Sequence, residues 1–333
     1  MLFSHNVTLM NAAALLSLPY VSDGLTRLEP LLRDTVGSGD GFLDEVATHL
    51  IDAGGKRLRP ALAIAAATLG HRPATTDELR AGIAVELVHL GSLYHDDVMD
   101  EAVTRRNVDS VNARFGNLVA IVAGDYLLAK SAEIAASLGA EIAGLLATTL
   151  ARLCEGQLAE VRSAYSAERT EAQYVAAIDG KTAALMATSC RIGALAAGME
   201  RAHVDALTEF GRNFGLLFQL RDDILDIIGS EDVLGKRAGQ DLTEGVYTLP
   251  VLVALADSDS GPELRSLLGK PLGEPEREKA RAIVSASRGI ETTRELGQRF
   301  VRAAAEAASF VGPPVGPALT ELAGSTLDGL FVS

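Results

Sequence analysis

No proline occurs between Pro73 and Pro250, a stretch that makes up more than half of the 333-residue chain. Proline costs about 3 kcal/mol inside a helix, because it removes a backbone hydrogen bond and clashes with the preceding turn. So long a proline-free run is what a set of long helices requires. Apolar spacing agrees. Ile83, Leu87, Leu90 and Tyr94 recur at steps of three and four, and Phe210, Phe214, Leu217, Leu220 and Ile224 repeat the pattern. Strict alternation is rare, and no strand–helix–strand rhythm appears. Aromatic residues are 5% of the chain, Trp is absent, and hydrophobic residues reach 48%, enough for a large core. The expectation is an all-α fold, one large single-domain helical bundle over residues 1–333, with residues 1–30 as an N-terminal extension or first helix. The last third is more broken. "ADSDSGPELRSLLGKPLGEPERE" reads as a loop-rich connection, followed by shorter helices around Glu276–Ser287, Ile290–Phe310 and Ala318–Leu330.

Lys and Arg number 30 against 44 Asp and Glu, a net charge of −14, which disfavours nucleic acid as a partner. An anionic ligand must then be held by a local cationic cluster or by metal ions. Cys154 and Cys190 are the only cysteines and form no zinc-type pair, so a reduced, cytoplasmic setting is expected. The N-terminal apolar run lacks the leading Lys or Arg of a secretory signal. No segment reaches the roughly 18 apolar residues of a membrane span. The nearest, "LVAIVAGDYLLA", is interrupted by Asp125.

One motif occurs twice. "DDVMD" (Asp96, Asp97, Asp100) and "DDILD" (Asp222, Asp223, Asp226) each end an apolar helical run. Residues three and four apart share a helix face, so each motif projects a carboxylate patch. Two carboxylates about 6 Å apart repel by roughly 3 kcal/mol at an effective dielectric near 20. Hard divalent cations offset that repulsion, and Mg2+ in particular is held by a few carboxylates plus a substrate's phosphate oxygens. Neither motif has the glycine-turned loop of a calcium site. One motif alone would read as a solvated helix end; two suggest a phosphate-binding mouth with several metal ions.

The basic residues suit such a mouth. Lys56, Arg57 and Arg59 follow the flexible Gly54–Gly55 pair, and Arg105 and Arg106 follow the first aspartate motif. Lys181 and Thr182 sit at an expected helix bend, and Lys236 and Arg237 lie beyond the second motif. Any one pair alone reads as surface ion pairing; together they offer charge-assisted hydrogen bonds to phosphate.

The segments "GGKRLRP", "VHLGSLYHDDVMDEAVTRR", "AGDYLLAK", "DGKTAAL", "GLLFQLRDDILDIIG" and "LGKRAGQDLTEGVYTLP", in this order, resemble the trans-isoprenyl diphosphate synthase (polyprenyl synthetase) family from about Leu31 to the C-terminus. The resemblance implies the isoprenoid synthase fold, a helical bundle around a central cavity, normally a homodimer. It also implies head-to-tail condensation of an allylic diphosphate, farnesyl or geranylgeranyl, with isopentenyl diphosphate. By the resemblance, Asp96, Asp97, Asp100, Asp222, Asp223 and Asp226 hold three Mg2+ ions. Gly55, Lys56, Arg59, His89 and Arg106 match the isopentenyl diphosphate pocket, and Arg105, Lys181, Thr182, Gln219 and Lys236 match the allylic side. Thr182 and Gln219 offer neutral dipoles to the allylic cation, and the released diphosphate is the expected base. The family often has a lysine where this chain has Val246, which predicts weaker allylic binding than in lysine-bearing relatives, not loss of activity.

Product length is read from the helix before Asp96. Ser92, Val88 and Val85 fall on roughly one face, with Gly91 beside Ser92. Short-chain members of the family carry aromatic residues at the Gly91 and Ser92 level. Their absence predicts room for a long product, C30 or beyond, with Gly91 as open tunnel space and close helix packing as the competing reading. Geranylgeranyl (C20) and farnesylgeranyl (C25) diphosphate synthases are the nearest alternatives. A terpene cyclase or a non-catalytic subunit of a heteromeric synthase fits less well, because both aspartate motifs are intact. His95 is expected to make only local hydrogen bonds.

Overall fold

The computed structural model describes residues 12–230 and 238–328. The chain begins with α1 (Ala13–Leu16), α2 (Pro19–Val36), α3 (Gly41–Asp52) and α4 (Leu58–Thr68). The part of residues 1–30 that is described is thus helical and packs into the body. Then comes α5 (Thr76–Met99), followed by a two-stranded ribbon of β1 (Thr104–Arg105) and β2 (Val108–Asp109). After it run α6 (Val111–Phe115), α7 (Asn117–Leu138), α8 (Ala140–Arg162) and α9 (Glu171–Ile178). A π-helical turn, Asp179–Ala183, joins α9 to α10 (Ala184–Ala196), which leads to α11 (Arg201–Ile228). The remainder is α12 (Gln240–Glu244), α13 (Leu249–Ala256), α14 (Gly261–Leu267), α15 (Glu274–Ala286), α16 (Gly289–Ser309) and α17 (Val315–Asp328).

The all-α expectation holds. The proline-free span contains α5 through α12, among them the long helices α5, α7, α8 and α11. The three late helices fall within a few residues of their expected bounds. Two elements differ. The "loop-rich" connection contains α14, because Pro262 pre-sets its first turn and Leu264 is wholly buried in the core. The β ribbon was not expected at all; its turn is described below.

Helix α5 starts at a capping box. Thr75 accepts a bond from the Glu78 amide, the Glu78 carboxylate accepts one from the Thr75 amide, and Arg72 pairs with that carboxylate. Residues 81–88 are buried on every side, because α5 lies between α4, α7 and α10. Helix α11 is the second spine. Phe210, Phe214 and Leu217 enter one hydrophobic core with the N-terminal helices, while Leu216, Leu220 and Ile227 enter another with α9, α13 and α15. Both spines carry their aspartates at the C-terminal end, fixed by core on the preceding turns.

Candidate active site

A cavity of about 530 Å³ lies where these helix ends meet. Asp100 and Arg105 line it from one side, and Gln219 and Asp223 from the other, with Lys181 between. The C-terminal end of a helix carries partial negative charge, so clustering carboxylates there runs against the helix dipole. Burial adds to the cost. It pushes the Asp96 carboxyl up to about 6, with Lys181 opposing and Asp100 adding to the rise. Asp100 is raised for the same first cause. Among the described residues, no side-chain hydrogen bond engages the carboxylate of Asp96 or Asp100.

The middle aspartate differs. Asp97 is fully buried, its Oδ1 receives Arg105 Nε at 2.8 Å and Nη2 at 2.5 Å, and its Oδ2 has no hydrogen-bond partner. On the second wall, Asp223 is also wholly committed to protein donors. Tyr174 Oη donates to Oδ2, and Gln219 Nε2 donates to Oδ1 at 2.9 Å. Burial raises the Asp223 carboxyl to about 7 against those two bonds. Asp226 accepts from the amides of Gln240 and Asp241 at 3.3 Å, tying down the start of α12. Asp222 is the most exposed of the three and contacts the buried Arg221 at 3.1 Å.

Lys181 and Thr182 sit in the π turn, so the expected bend is a widened turn that redirects both side chains. Lys181 pairs with Glu160 at 2.5 Å. Thr182 Oγ1 donates to Gln219 Oε1 at 2.7 Å, completing a chain from Thr182 through Gln219 to Asp223 and Tyr174.

Arg105 and Arg106 part company because of the ribbon. Thr104 pairs with Asp109 and Arg105 with Val108, leaving Arg106 and Asn107 as a two-residue turn, both with positive φ. Arg105 stays beside Asp97, whereas Arg106 swings to the Leu50 and Gly54 carbonyls. There it meets the glycine pair. A Cβ on Gly55 would stand 2.9 Å from Arg106 Nη1. Arg57, at φ 47°, turns its guanidinium inward to Glu29 and Glu86 and away from the cavity. Arg59 is held at about 10 by burial, and its Nε has no partner. Burial, then Arg59 and Arg106, hold His89 well below the usual imidazole range, so it is neutral. Lys56 is close enough to Arg221 and Asp222 to feel both charges. Of the residues expected for isopentenyl diphosphate, Gly55 meets Arg106, Arg59 and Arg106 act on His89, and Lys56 lies near Asp222, whereas Arg105, Lys181 and Gln219 of the expected allylic set line the cavity. Lys236 lies outside the described residues.

Three expectations change. Gly91 does not open onto free space: a Cβ there would lie 3.0 Å from the Gly124 carbonyl oxygen and 3.1 Å from Leu128 Cγ of α7. Close helix packing explains it. Val88 is 2% exposed and belongs to the core, while Ser92 is half-buried and donates to the His89 carbonyl. The third change is of omission. Glu160, Arg169 and Tyr174 line the cavity and carried no motif signal, because their partners come from other helices. His95 does make local bonds, to the Ile121 carbonyl and Asp125.

The donors on both walls are carboxylate oxygens, and the buried Asp97 Oδ2 is an acceptor without a donor, which fits hard divalent cations. Among the described residues, no three His, Cys, Asp or Glu side chains close around one point. Such open walls suit Mg2+, which keeps positions for water and substrate oxygens.

Comparison with known proteins agrees with the geometry. The polyprenyl synthetase family model matches residues 40–286. Nonaprenyl diphosphate synthase of Mycobacterium tuberculosis is 38% identical over 312 residues, 92% of each chain. Heptaprenyl diphosphate synthase component 2 of Geobacillus stearothermophilus is 38% identical over 85% of this chain and 88% of its own. The polyprenyl synthase of Caulobacter crescentus, solved with calcium and isoprenyl diphosphate, superposes with a TM-score of 0.88 at 31% identity, over 95% of this chain and 97% of that one.

Proposed function

Because this chain belongs to the polyprenyl synthetase family, we propose that it condenses isopentenyl diphosphate with farnesyl or geranylgeranyl diphosphate into an all-trans polyprenyl diphosphate of C30 or longer. The observation that carries the reading is the cavity that Asp100 of the first aspartate motif and Asp223 of the second both line, with Arg105 and Lys181 beside them. Relatives named for C35 to C45 products support the length.

Asp96, Asp97 through its Oδ2, and Asp100 at the C-terminal end of α5, with Asp222 from α11, are the residues proposed to hold Mg2+, three ions in all. When bound, those ions supply neutralisation of the charge that develops on the leaving diphosphate. Asp97 and Asp223 orient the walls through Arg105, Tyr174 and Gln219, and Asp226 anchors the following segment. Lys181 and Arg105 add positive charge on the allylic side. Gln219 and Thr182, locked to each other, present neutral dipoles to an allylic cation without offering it a nucleophile. Lys56, Arg59 and Arg106 take the isopentenyl diphosphate, with neutral His89 as an uncharged hydrogen-bonding group. The released diphosphate takes the final proton.

Leu118, Ile121 and Val122 of α7 and Leu158 and Val161 of α8 are exposed apolar residues. They support a homodimer through α7 and α8; the relative named as a component 2 keeps a heteromer as the second reading. No described helix is long and apolar enough to cross a membrane. A cytoplasmic setting is proposed.

The test is incorporation. Purified protein with Mg2+, radiolabelled isopentenyl diphosphate and farnesyl diphosphate should yield butanol-extractable label. Asp96→Asn or Asp222→Asn should lower kcat by about 100-fold or more, as loss of a charge-stabilising group does. Wild-type protein that incorporates no label as a lone chain would contradict the reading.

A further inference from the structure

Arg169 is a buried cation that the reaction as described leaves unused. It is 7% exposed. Its neighbours in the cavity, Arg105 and Lys181, each pair with a carboxylate, Asp97 and Glu160. Among the described residues Arg169 pairs with none. Nη1 donates a long bond, 3.4 Å, to the Tyr247 carbonyl; Nη2 is buried with no hydrogen-bond partner; and the guanidinium stacks 5.4 Å from the Tyr174 ring. Arginine cannot shed its charge, so burial without an anion is costly unless an anion arrives. Burial does work against that charge here, with Glu160 the largest opposing influence.

The surroundings identify the anion. Arg169 lines the same cavity as Asp100, Lys181 and Asp223; Val246 lines it too and precedes Tyr247, whose carbonyl Arg169 binds. On the reading that this cavity takes the allylic diphosphate, we infer that Arg169 is a diphosphate-binding residue of the allylic side, its fork supplying the cation that the apolar Val246 does not. Tyr174 links the two roles: its ring carries the guanidinium on one side, and its hydroxyl holds Asp223 on the other. The weaker allylic binding expected from Val246 alone is then offset.

The inference separates substrates. In wild-type protein, allylic-dependent incorporation is measured first; its absence would sink the underlying reading rather than this one. Given activity, Arg169→Gln should raise the allylic KM about tenfold or more, the usual scale for a lost charge-assisted bond, and leave the isopentenyl diphosphate KM within about twofold. Val246→Lys in the Arg169→Gln background should bring the allylic KM back down by severalfold. An unchanged allylic KM, an equal rise in both KM values, or no recovery with the lysine would overturn it. Should Arg169→Gln fail to fold, Arg169→Lys keeps a cation but loses the fork. In that variant, the Ki of inorganic pyrophosphate, competitive with the allylic substrate, should rise. An unchanged Ki, or pyrophosphate inhibition of wild-type enzyme that does not compete with the allylic substrate, would place Arg169 outside the site. Arg169 also borders a second cavity with Arg162 and Gln173, and noncompetitive inhibition would assign it there.

Discussion

Gly55 and Arg106 depend on each other. The guanidinium is anchored by two carbonyls and passes where a side chain at residue 55 would start. Gly55→Ala should therefore displace Arg106 and raise the isopentenyl diphosphate KM several-fold, with the allylic KM unchanged; steady-state kinetics with each substrate varied in turn decides it. The sequence showed both residues as phosphate-pocket candidates but not their contact, which spans two distant loops. Glu78 makes a different point. It is 2% exposed and its carboxyl is held below the ordinary value of 4.5: burial opposes this, but the Arg72 and Thr75 bonds win. A lowered folded-state value means that this stabilisation is complete above 4.5 and is lost as pH falls below it. Glu78→Gln should cost about 1 kcal/mol at neutral pH, the usual worth of a cap, and flatten the acid limb of the urea midpoint against pH. An equally steep acid limb in the variant would show that Glu78 is not its source.

At the scale of elements, periodicity and the absence of proline made the long helices legible, and the paired motifs marked their active ends. Local pattern could not reveal what packs on each face. Gly91 looked like open space because only its own helix was in view; Gly124 of α7 meets it there, and the His95 ring covers the same glycine. Overpacking typically costs about 1–3 kcal/mol, so Gly91→Phe should lower the urea midpoint sharply rather than shorten the product cleanly. Ser92→Phe, at the half-buried neighbouring position, should leave stability nearly unchanged and shift products to shorter chains. Unaltered product length from Ser92→Phe would remove this level of α5 from the account of chain growth. The β ribbon escaped notice for a related reason. Its turn, Arg106–Asn107, has no glycine, yet both residues take positive φ, a local cost that sends Arg105 to the Asp97 carboxylate and Arg106 to the Leu50 and Gly54 carbonyls.

For the whole molecule, the two cores meet along α11, and the cavity opens where the two spines end. None of the exposed apolar residues of α7 and α8 lines that cavity. Leu118→Asp with Val122→Asp should convert a dimer to monomers by light scattering; a mass of two chains retained by the double variant would move the interface elsewhere. The most direct measurement is the length of the product. Wild-type protein, Mg2+, radiolabelled isopentenyl diphosphate and geranylgeranyl diphosphate are combined, and the dephosphorylated products are separated by reversed-phase chromatography. Label at C30 or longer, abolished by EDTA and restored by Mg2+, is the expected result. Products that stop at C20 or C25 when farnesyl diphosphate is the primer, or label that persists in EDTA, would contradict it.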